Sequence, residues 1–341
     1  MSHTVGLSMV PVLHGGRLAA ARRLFPAAPS PFIDLSTGIN PHPYPLAPFS
    51  VAALTRLPEP ESEEALRHLA ASAYGAPSSD HVVAAPGSQI LISLLPILLA
   101  CRHVAILSPT YGEHAAAWRL AGVTVVPVPD AAALLEAAGA GVALVLCNPN
   151  NPDGRRIDAD TLAMLAARCA EQGGTLVVDE AFADLEPDVP LAGSLLPSAG
   201  LLVLRSFGKC HGLAGLRLGF MLADLGLAGR MRTLLGPWAV SGPAIEAGLQ
   251  ALADDRWRSR ISHILDLASH RLDRLLTGAG LVPVGGTRLF RLAETPDAAA
   301  LFERLGTAGL LVRRFDNQPH RLRFGLPADE QAWERLRTAL G

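Results

Sequence analysis

The sequence predicts an α/β fold in which a mostly parallel sheet with helices on both faces forms a large domain, followed by a smaller α+β domain. From about residue 80 to residue 222, short apolar or β-branched runs alternate with longer stretches of helical periodicity. Alternation of this kind is typical of parallel sheets. The chain has 341 residues, of which 50% are hydrophobic and 18% charged, so it can bury a large core and is not intrinsically disordered.

Seven strands are predicted in the first part of the chain, where short runs are rich in Val, Ile, Leu and Ala. They cover residues 81–84, 103–107, 123–126, 142–147, 175–179, 201–205 and 216–222. Between them the periodicity predicts helices, which include residues 88–100, 111–121 and 159–171.

The chain changes character near Gly236 and Pro237. A helical stretch over residues 243–276 is followed by short strands near residues 289–292, 310–313 and 322–324 and by a closing helix. The first 45 residues are rich in Pro, Gly and Ser, which is typical of an irregular arm. We therefore predict an N-terminal arm over residues 1–45, a large domain over residues 46–236 and a small domain over residues 237–341.

Charge and composition argue against several kinds of partner and location. The formal net charge is −2 without any block of like charge, so neither nucleic acid nor an anionic membrane surface is expected as a partner. The longest apolar stretch, residues 90–100, contains Ser93 and Pro96 and is too short to span a bilayer. No basic residue precedes Arg17 and no apolar signal segment is present. The four cysteines form no CxxC motif, which favours a reduced, cytoplasmic compartment.

Lysine occurs only once in the sequence. Of the 29 lysine and arginine residues, Lys209 alone is a lysine. A genomic bias toward arginine explains the other positions, where a positive charge is enough, but it does not explain the exception. An amine can lose its proton and attack a carbonyl group, whereas a guanidinium group stays charged. We therefore predict that Lys209 is required for chemistry.

The other candidate residues lie where predicted strands end, which is where ligands of open α/β sheets bind. No GxGxxG, GxxxxGK[ST], GxSxG or HExxH pattern occurs. Gly87, Ser88 and Gln89 open an apolar helix whose free N–H groups attract phosphate, with a plain serine N-cap as the alternative. Tyr111 follows the next strand and either offers its ring to a planar ligand or packs at a helix start.

Polar residues also follow the next two strands. The segment 148–154, with Asn151 at its centre, is a turn by composition, although an amide there can also donate to a ligand. Asp179 and Glu180 end a strand that otherwise has the composition of a buried one. A carboxylate in this position needs a cationic partner, and either a protonated pyridine nitrogen or an arginine would serve.

Ser206 and Arg217 flank the single lysine, three residues before it and eight residues after it. A phosphate bound by these two side chains would fix a cofactor whose aldehyde faces Lys209. Each of these signals is weak by itself, but their order along the chain is specific.

The order of these motifs resembles that of the class I/II aminotransferase group of fold-type I pyridoxal-5′-phosphate (PLP) enzymes, over roughly residues 14–340. The shared features are a Gly-Ser helix start, Pro-Thr-Tyr, Asn-Asn-Pro-x-Gly, Asp-Glu-Ala, Ser-x-x-Lys and an arginine eight residues later. The resemblance implies that PLP is the cofactor and that Lys209 binds it covalently. It also implies a homodimer with shared active sites and no metal.

The resemblance assigns a role to each cofactor residue. Asp179 would pair with the pyridinium nitrogen, Asn151 would bond the phenolic oxygen, and Tyr111 would stack on the ring. Four residues would hold the phosphate: Gly87, Ser88, Ser206 and Arg217. Gln89 would also belong to the cofactor site.

Finer features resemble one branch of this group, the threonine-phosphate decarboxylases of cobalamin biosynthesis. They are the segments 14–16, 34–36, 39–41 and 237–240, together with Phe182 at a position where histidinol-phosphate aminotransferases usually carry Tyr. The likeness implies that His14 contacts the substrate phosphate and that Asn40, Arg313 and Arg323 bind the substrate. Arg323 is expected on the substrate carboxylate, with Arg321 on the same strand as the alternative.

Three positions depart from the pattern of this branch. Leu57 stands where the family usually has a tyrosine that reaches the partner subunit's cofactor phosphate. Gly38 replaces an asparagine that binds the substrate, and Asp153 replaces a threonine. The first two positions concern recognition of phosphate and substrate rather than the cofactor chemistry.

The resemblance implies PLP-dependent decarboxylation of L-threonine O-3-phosphate, a small phosphorylated amino acid. The alternative is an aminotransferase of the histidinol-phosphate type. An effector-binding regulator of the same fold would need a DNA-binding module, and residues 1–45 contain neither a helix-turn-helix pattern nor a basic patch. A phosphate-binding protein without catalysis would not need a lysine among these motifs.

Overall fold

The computed structural model describes residues 14–341, so the first 13 residues of the predicted arm lie outside the described residues. In chain order the first elements are α1 (Leu18–Leu24), β1 (Ile33–Asp34), α2 (Val51–Thr55), α3 (Pro60–Tyr74), β2 (Val82–Ala85), α4 (Ser88–Leu99), β3 (His103–Leu107), α5 (Gly112–Leu120), β4 (Thr124–Val128), α6 (Ala131–Glu136), β5 (Val142–Cys147), α7 (Ala159–Gln172), β6 (Thr175–Asp179), β7 (Leu201–Ser206), α8 (Phe207–Cys210), β8 (Gly219–Ala223) and α9 (Leu225–Leu235). Short 3₁₀ turns lie at Ser79–His81, Ala183–Leu185, Ala192–Leu195 and Ala214–Leu216.

The second part of the chain has longer helices and short antiparallel strands. Its elements are α10 (Gly242–Ala251), α11 (Asp255–Gly278), β9 (Val282–Thr287), β10 (Phe290–Glu294), α12 (Ala298–Thr307), β11 (Leu310–Leu311), β12 (Arg313–Arg314), β13 (Arg321–Gly325) and α13 (Glu330–Leu340).

A seven-stranded sheet in the order β2-β8-β7-β6-β5-β3-β4 organises the first part of the described chain. Six of its strands run in the same direction, and only β8 is antiparallel to both of its neighbours. The predicted mostly parallel sheet is therefore confirmed. The carboxyl ends of β3, β5, β6 and β7 meet at one edge, as parallel pairing requires.

Helices cover both faces of this sheet, which is why its central strands are mostly apolar. In β5, Ala143 and Val145 pack toward α4, α5 and α9, whereas Leu144 and Leu146 pack toward α3, α6, α7 and α10. Side chains alternate between the two faces of a strand, so a strand buried on both faces needs apolar residues at every position.

A four-stranded antiparallel sheet in the order β12-β13-β10-β9 forms the second part, packed with α11, α12 and α13. The arm joins this part, because β1 pairs in parallel with β11, with Ile33 opposite Leu310. Helix α10 lies beyond the predicted boundary at residue 236, yet Val240, Ala244 and Ile245 belong to the core beneath the large sheet. The domain division stays a prediction, and this packing favours a boundary after Leu252.

Two predicted elements differ from the observed ones. The helical stretch over residues 243–276 is divided into α10 and α11, because Asp254 caps the second helix by accepting a hydrogen bond from the Trp257 N–H (2.9 Å). The predicted strand at residues 310–313 is also divided, since β11 pairs with the arm and β12 pairs with β13. Of the helices in residues 14–341, none combines the length and apolar character needed to cross a bilayer.

Candidate active site

A cavity of about 300 Å³ opens at the carboxyl ends of β5, β6 and β7, below the small sheet. It brings together segments from the arm, the large sheet and the small sheet. Ten residues predicted from the sequence line it: His14, Ser88, Gln89, Tyr111, Asn151, Asp179, Ser206, Lys209, Arg217 and Arg323.

A larger cavity, of about 460 Å³, contains none of the predicted residues. Its three arginines are already paired with carboxylates of the same wall, and these arginines are Arg156, Arg288 and Arg291. Because its arginines are paired within the wall and it contains none of the predicted residues, we assign the chemistry to the smaller cavity.

Lys209 lies in the single turn α8, directly after β7, and its amine faces the cavity. Burial lowers the pKa of Lys209, Asp179 opposes this effect, and the positive charges of Arg323 and Arg217 lower the pKa further. An amine whose pKa is lowered by its surroundings is more often neutral, and the neutral amine is the nucleophilic form. The surroundings of Lys209 therefore suit attack on a carbonyl group.

Asp179 ends β6 with its carboxylate at the cavity wall and is only 5% exposed. It accepts hydrogen bonds from the Ala181 N–H (3.0 Å) and from His114 Nε2 (2.9 Å). The sequence alone leaves open an arginine as the partner of Asp179. The nearby Arg205 instead forms an ion pair with the next residue, Glu180. Asp179 is thus free of arginine and can accept a hydrogen bond from a cationic ring nitrogen in the cavity.

His114 is a residue that the sequence reasoning missed. Burial alone would lower the pKa of His114, but Cys147 and Asp179 outweigh this effect and raise it to about 10. The His114 ring is therefore protonated at neutral pH, and its Nε2 N–H donates to the Asp179 carboxylate. His114 lies three residues after Tyr111 on the buried face of α5, and this spacing was the available signal.

The ligand atoms of His114, Cys147 and Asp179 lie within 4.8 Å of one another. Protein groups already engage them, since His114 bonds Asp179 and Cys147 Sγ accepts a hydrogen bond from the Thr110 hydroxyl (3.1 Å). The absence of a metal stays a prediction.

A cradle for an anion lies between the start of α4 and Arg217. Gly87 has φ 85°, and a Cβ atom added there would collide with the Arg217 guanidinium group. Ser88 and Ser206 line the same end of the cavity. A helix start with free N–H groups, two hydroxyls and an arginine is a set of donors that fits a phosphate group.

Arg323, in the middle of β13, reaches the opposite side of the cavity. Its Nη1 donates to Asn151 Oδ1 (2.6 Å) and its Nη2 to the Ser36 carbonyl (2.9 Å), while burial and then Arg313 lower its pKa to about 9. The alternative, Arg321, does not line the cavity and pairs with Glu294 (3.0 Å). The geometry therefore favours Arg323 as the cation that meets a carboxylate.

The arm closes the outer side of the cavity through a polar chain. His14 Nε2 lies 2.8 Å from Glu113 Oε1, and Gln89 Nε2 donates to the other oxygen of Glu113 (3.2 Å). The Tyr111 hydroxyl donates to Gln89 Oε1 (3.0 Å) and thereby fixes the tyrosine ring at the cavity wall. Glu113 was not predicted, although it lies on the first turn of α5 immediately after Tyr111 and Gly112.

Two predicted substrate residues lie outside this cavity. Arg313 lines an adjoining space of about 200 Å³, which shares His14 and Ser36 with the main cavity. The side chain of Asn40 is buried and hydrogen-bonded within the protein, since it donates to the Cys210 carbonyl (2.8 Å) and accepts from the His42 N–H (2.9 Å). The substrate role of Asn40 stays a prediction, while its contacts hold the arm against the segment after Lys209.

The three departures from the branch pattern have different surroundings. Leu57 is 62% exposed just beyond α2. Gly38 lines the cavity between the rings of Phe182 and Phe290. Asp153 accepts hydrogen bonds from the side chain of Asn150 (2.7 Å) and the Arg155 N–H (3.0 Å), so it stabilises the turn that presents Asn151.

Comparison with known proteins agrees with this arrangement. The chain matches the aminotransferase class I and II family over residues 50–340. It is 44% identical to a threonine-phosphate decarboxylase of Sinorhizobium sp. over 331 residues, 97% of this chain and 98% of that protein. It is 43% identical to a threonine-phosphate decarboxylase of Pseudomonas aeruginosa over 327 residues, 96% of each chain.

Solved structures show the same fold. A histidinol-phosphate aminotransferase from Sinorhizobium meliloti, solved in complex with pyridoxal 5′-phosphate, aligns with a TM-score of 0.81 at 22% identity over 99% of this chain and 98% of that chain. An L-threonine-O-3-phosphate decarboxylase from Porphyromonas gingivalis aligns with a TM-score of 0.75 at 20% identity over 90% of this chain and 98% of that chain.

The residues of the cavity fit PLP. The cradle at Gly87 and Arg217 suits its phosphate, and the Asp179 carboxylate, held by His114, suits its ring nitrogen. The Oδ1 atom of Asn151 accepts a hydrogen bond from Arg323. Within residues 14–341 its Nδ2 group has no hydrogen-bond partner, so it can donate to the phenolic oxygen of the cofactor ring. With a family match over residues 50–340, full-length relatives at 43–44% identity and a cavity that fits the cofactor, the chain belongs to the aminotransferase class I and II family of PLP-dependent enzymes.

Proposed function

We propose that the protein catalyses the PLP-dependent decarboxylation of L-threonine O-3-phosphate to (R)-1-amino-2-propanol O-2-phosphate and CO₂, a step of cobalamin biosynthesis. The observation that carries the proposal is that Arg323 and His14 line the same cavity as Lys209, with Arg313 in the adjoining space. Arg323 suits a substrate carboxylate, and His14 with Arg313 suits a substrate phosphate. The two relatives at 43–44% identity, both named threonine-phosphate decarboxylase, support the same substrate.

Each residue contributes a separate part of the chemistry. PLP, when bound, supplies an electron sink that stabilises negative charge at the substrate Cα. Asp179 holds the proton of the ring nitrogen, and His114 orients Asp179. Arg323 fixes the carboxylate, and Lys209 Nζ holds the proton that Cα receives after CO₂ has left.

Product analysis tests the proposal directly. The holoenzyme is incubated with L-threonine O-3-phosphate, with and without 2-oxoglutarate, and CO₂, the phosphorylated amine and glutamate are measured. We expect one CO₂ per amine formed and no dependence on 2-oxoglutarate. Glutamate formation without CO₂ would show that the proposal is wrong.

An aminotransferase of the histidinol-phosphate type is the second candidate. A histidinol-phosphate aminotransferase of Desulfitobacterium hafniense is 29% identical over 336 residues, which favours this reading. Such an enzyme would consume 2-oxoglutarate and histidinol phosphate in the same assay. The higher identity to the decarboxylases favours the first candidate.

We also propose a cytoplasmic homodimer. The apolar side chains of Val51, Leu54 and Leu57 are 75%, 68% and 62% exposed on and just after α2, which supports burial against a second copy. The four cysteines are unpaired, which supports a reducing compartment.

A further inference from the structure

Two phenylalanines form a packed pair beside the active-site cavity. The rings of Phe182, which follows β6, and Phe290, at the start of β10, meet edge to face with centroids 5.1 Å apart and an interplanar angle of 80°. Phe182 is 6% exposed and Phe290 is fully buried. The pair therefore connects the large sheet to the small sheet at the level of the cavity.

Each ring of the pair faces one basic group of the active site. Lys209 Nζ lies 5.0 Å from the centre of the Phe182 ring, and Arg323 Cζ lies 4.8 Å from the centre of the Phe290 ring. Both distances are within the range in which a ring face attracts a cation. Among residues 14–341, no hydrogen bond or ion pair is recorded for Lys209 Nζ, and Arg323 Nε is buried without a partner. The Phe182 ring face is thus a close contact of the Lys209 amine, while the Phe290 ring face adds to the two hydrogen bonds that Arg323 donates to Asn151 and the Ser36 carbonyl.

Gly38 fixes the position of the pair. A Cβ atom at this residue would lie 2.7 Å from Phe182 Cε1 and 3.0 Å from Phe290 Cδ1. Phe290 is fully buried in the core of the second part of the chain, and Phe182 could move only into the cavity that it lines. The absence of a side chain at Gly38 is therefore needed for the rings to stand where they do.

The groups that face Lys209 come from three strands and from the loop before β8. Asp179 of β6 and Cys147 of β5 favour the charged form of Lys209. Arg323 of β13 and Arg217 of the loop disfavour it. Lys209 and Arg323 repel each other across the cavity, so their separation depends on what holds each of them. The two ring faces supply attraction that opposes this repulsion.

We propose that Phe182, packed against Phe290 and Gly38, is a positioning residue that sets the distance between the Lys209 amine and the Arg323 guanidinium group. This inference rests on the proposed function. Arg323 holds the substrate carboxylate, so the distance between Arg323 and the Lys209 amine determines where the amine lies relative to Cα. At one distance Lys209 reaches Cα only after CO₂ has left. At another it removes the proton of the Cα–H bond first. In the second case the substrate gives its amino group to the cofactor and receives the oxygen of the cofactor's aldehyde in exchange. A 2-oxo acid therefore forms without an added oxidant. Phe182 thereby favours decarboxylation.

The single lysine allows a direct test in the full-length, cofactor-free chain. Lysine labelled with ¹³C at Cε gives one resonance, whose pH dependence reports the pKa of the Lys209 amine. We expect Phe182→Leu to lower this pKa, because loss of the ring face disfavours the ammonium form. Phe182→Tyr, which keeps the ring face, should restore the wild-type value.

A matched control lies in the same core. Phe302 packs on Phe25 with centroids 6.0 Å apart and carries Arg314 Cζ at 4.8 Å from its ring centre, without contact to Lys209. Phe302→Leu should leave the pKa of Lys209 unchanged. An equal change in Phe302→Leu would mean that general loosening of the core is the cause, and would overturn the proposal.

The holoenzyme provides the second readout. With phosphothreonine, Phe182→Leu should lower kcat by about two- to tenfold, as expected for loss of one cation–ring contact, with a KM that changes less than kcat. Its ratio of 2-oxo acid to CO₂ should rise, and Gly38→Ala, which displaces the pair, should raise it as well. An unchanged Lys209 pKa or an unchanged product ratio in Phe182→Leu would overturn the inference. If the wild-type enzyme releases no CO₂, the proposed function fails, whereas the pKa measurement still tests the contact between Phe182 and Lys209.

Discussion

Lys209 can be tested with amine chemistry that would be ambiguous in a protein with many lysines. Borohydride reduction of the holoenzyme, followed by peptide mapping, should place the cofactor on the peptide that contains Lys209. Lys209→Arg should keep the charge and the unfolding temperature but abolish turnover, because a guanidinium group is not a nucleophile at neutral pH. Label found only on the N-terminal amine would refute the assignment.

The residues proposed to hold the substrate carboxylate and phosphate make a second prediction at the scale of single residues. Removing a charge-assisted clamp costs roughly 1.5–3 kcal/mol, or about ten- to a hundredfold in kcat/KM. We expect His14→Ala and Arg313→Ala to reduce turnover of phosphothreonine far more than turnover of unphosphorylated threonine, and Arg323→Ala to reduce both. Arg321→Ala is the control, since Arg321 pairs with Glu294 outside the cavity. An effect of Arg321→Ala as large as that of Arg323→Ala would contradict the assignment.

The contact between His114 and Asp179 predicts a pH dependence of stability. The folded protein raises the pKa of His114 from 6.5 to about 10, as burial, which lowers it, is outweighed by Cys147 and Asp179. The protonated ring therefore stabilises the fold fully below about pH 6.5, and this contribution is lost as the pH rises through about 10. His114→Gln should lower the unfolding temperature of the cofactor-free chain at pH 7, and the difference from wild type should shrink toward pH 10.

The control for this experiment is His270→Gln, because His270 lies on the exposed side of α11 with its side chain 60% exposed. It should show no comparable difference at either pH. A difference between wild type and His114→Gln that grew toward pH 10 would contradict the direction of the shift.

At the scale of elements, a buried ionic cluster ties β6, β7 and α3 together. Arg205 of β7 bonds Glu180, directly after β6, and Asp184 of the following 3₁₀ turn, and its guanidinium group lies 4.4 Å from the centre of the Tyr74 ring. Arg205 is only 1% exposed. The cluster supports the turn in which Phe182 stands and therefore one wall of the cavity.

Removing the arginine should destabilise the protein strongly. Arg205→Met leaves two buried carboxylates without a cation, and we expect a loss of about 3–5 kcal/mol in the free energy of unfolding, measured with urea. Arg337→Met is the control, since Arg337 and Glu334 form an exposed pair on α13, and it should change stability little. Equal stability of Arg205→Met and wild type would show that the cluster contributes nothing to the fold.

The strands of the large sheet were predictable because their two buried faces leave an uninterrupted apolar signal. The predicted bounds of β3, β5 and β6 agree with the structure. Helix α3 was missed because its buried side is small: of its 15 residues, only Leu66, Ala70, Ala71 and Tyr74 are buried. Strand β9 was missed since Gly285 and Gly286 lower its β-propensity, and its pairing with β10 compensates only in the folded chain.

The part of the candidate site that could be predicted consists of residues that the strand order of the large sheet brings together. Asp179 and Ser206 follow parallel strands, so their convergence follows from the sheet. The partnership of His114 with Asp179 and the contact of Phe290 with Arg323 depend on how a helix and a second sheet pack against that edge. Periodicity within one segment carries no information about such contacts, which is why they appear only in the structure.

At the scale of the whole molecule, the exposed apolar side of α2 predicts self-association. We expect a homodimer at micromolar concentration in sedimentation velocity experiments, and Leu54→Glu should shift it toward monomer, because a carboxylate would be buried at the contact. Leu57→Tyr should be tolerated. Met164→Glu, at a 50% exposed position on α7, is the control and should leave the dimer unchanged. A wild-type monomer would refute the shared-site dimer.

The single antiparallel strand has a consequence for how the chain acquires its structure during synthesis. Within residues 14–341, strand β2 lies at the edge of the sheet and pairs only with β8, with Val82 opposite Leu222. The ribosome therefore delivers β3, β4, β5, β6 and β7, whose mutual pairs complete a parallel sheet, before β2 has any strand to join. Such long-range pairing is slow, and an unpaired edge invites association with other chains. The anion cradle needs the turn after β2 and also Arg217, just before β8. We therefore expect it to form only after residue 223 has emerged, when Lys209 has already been synthesised.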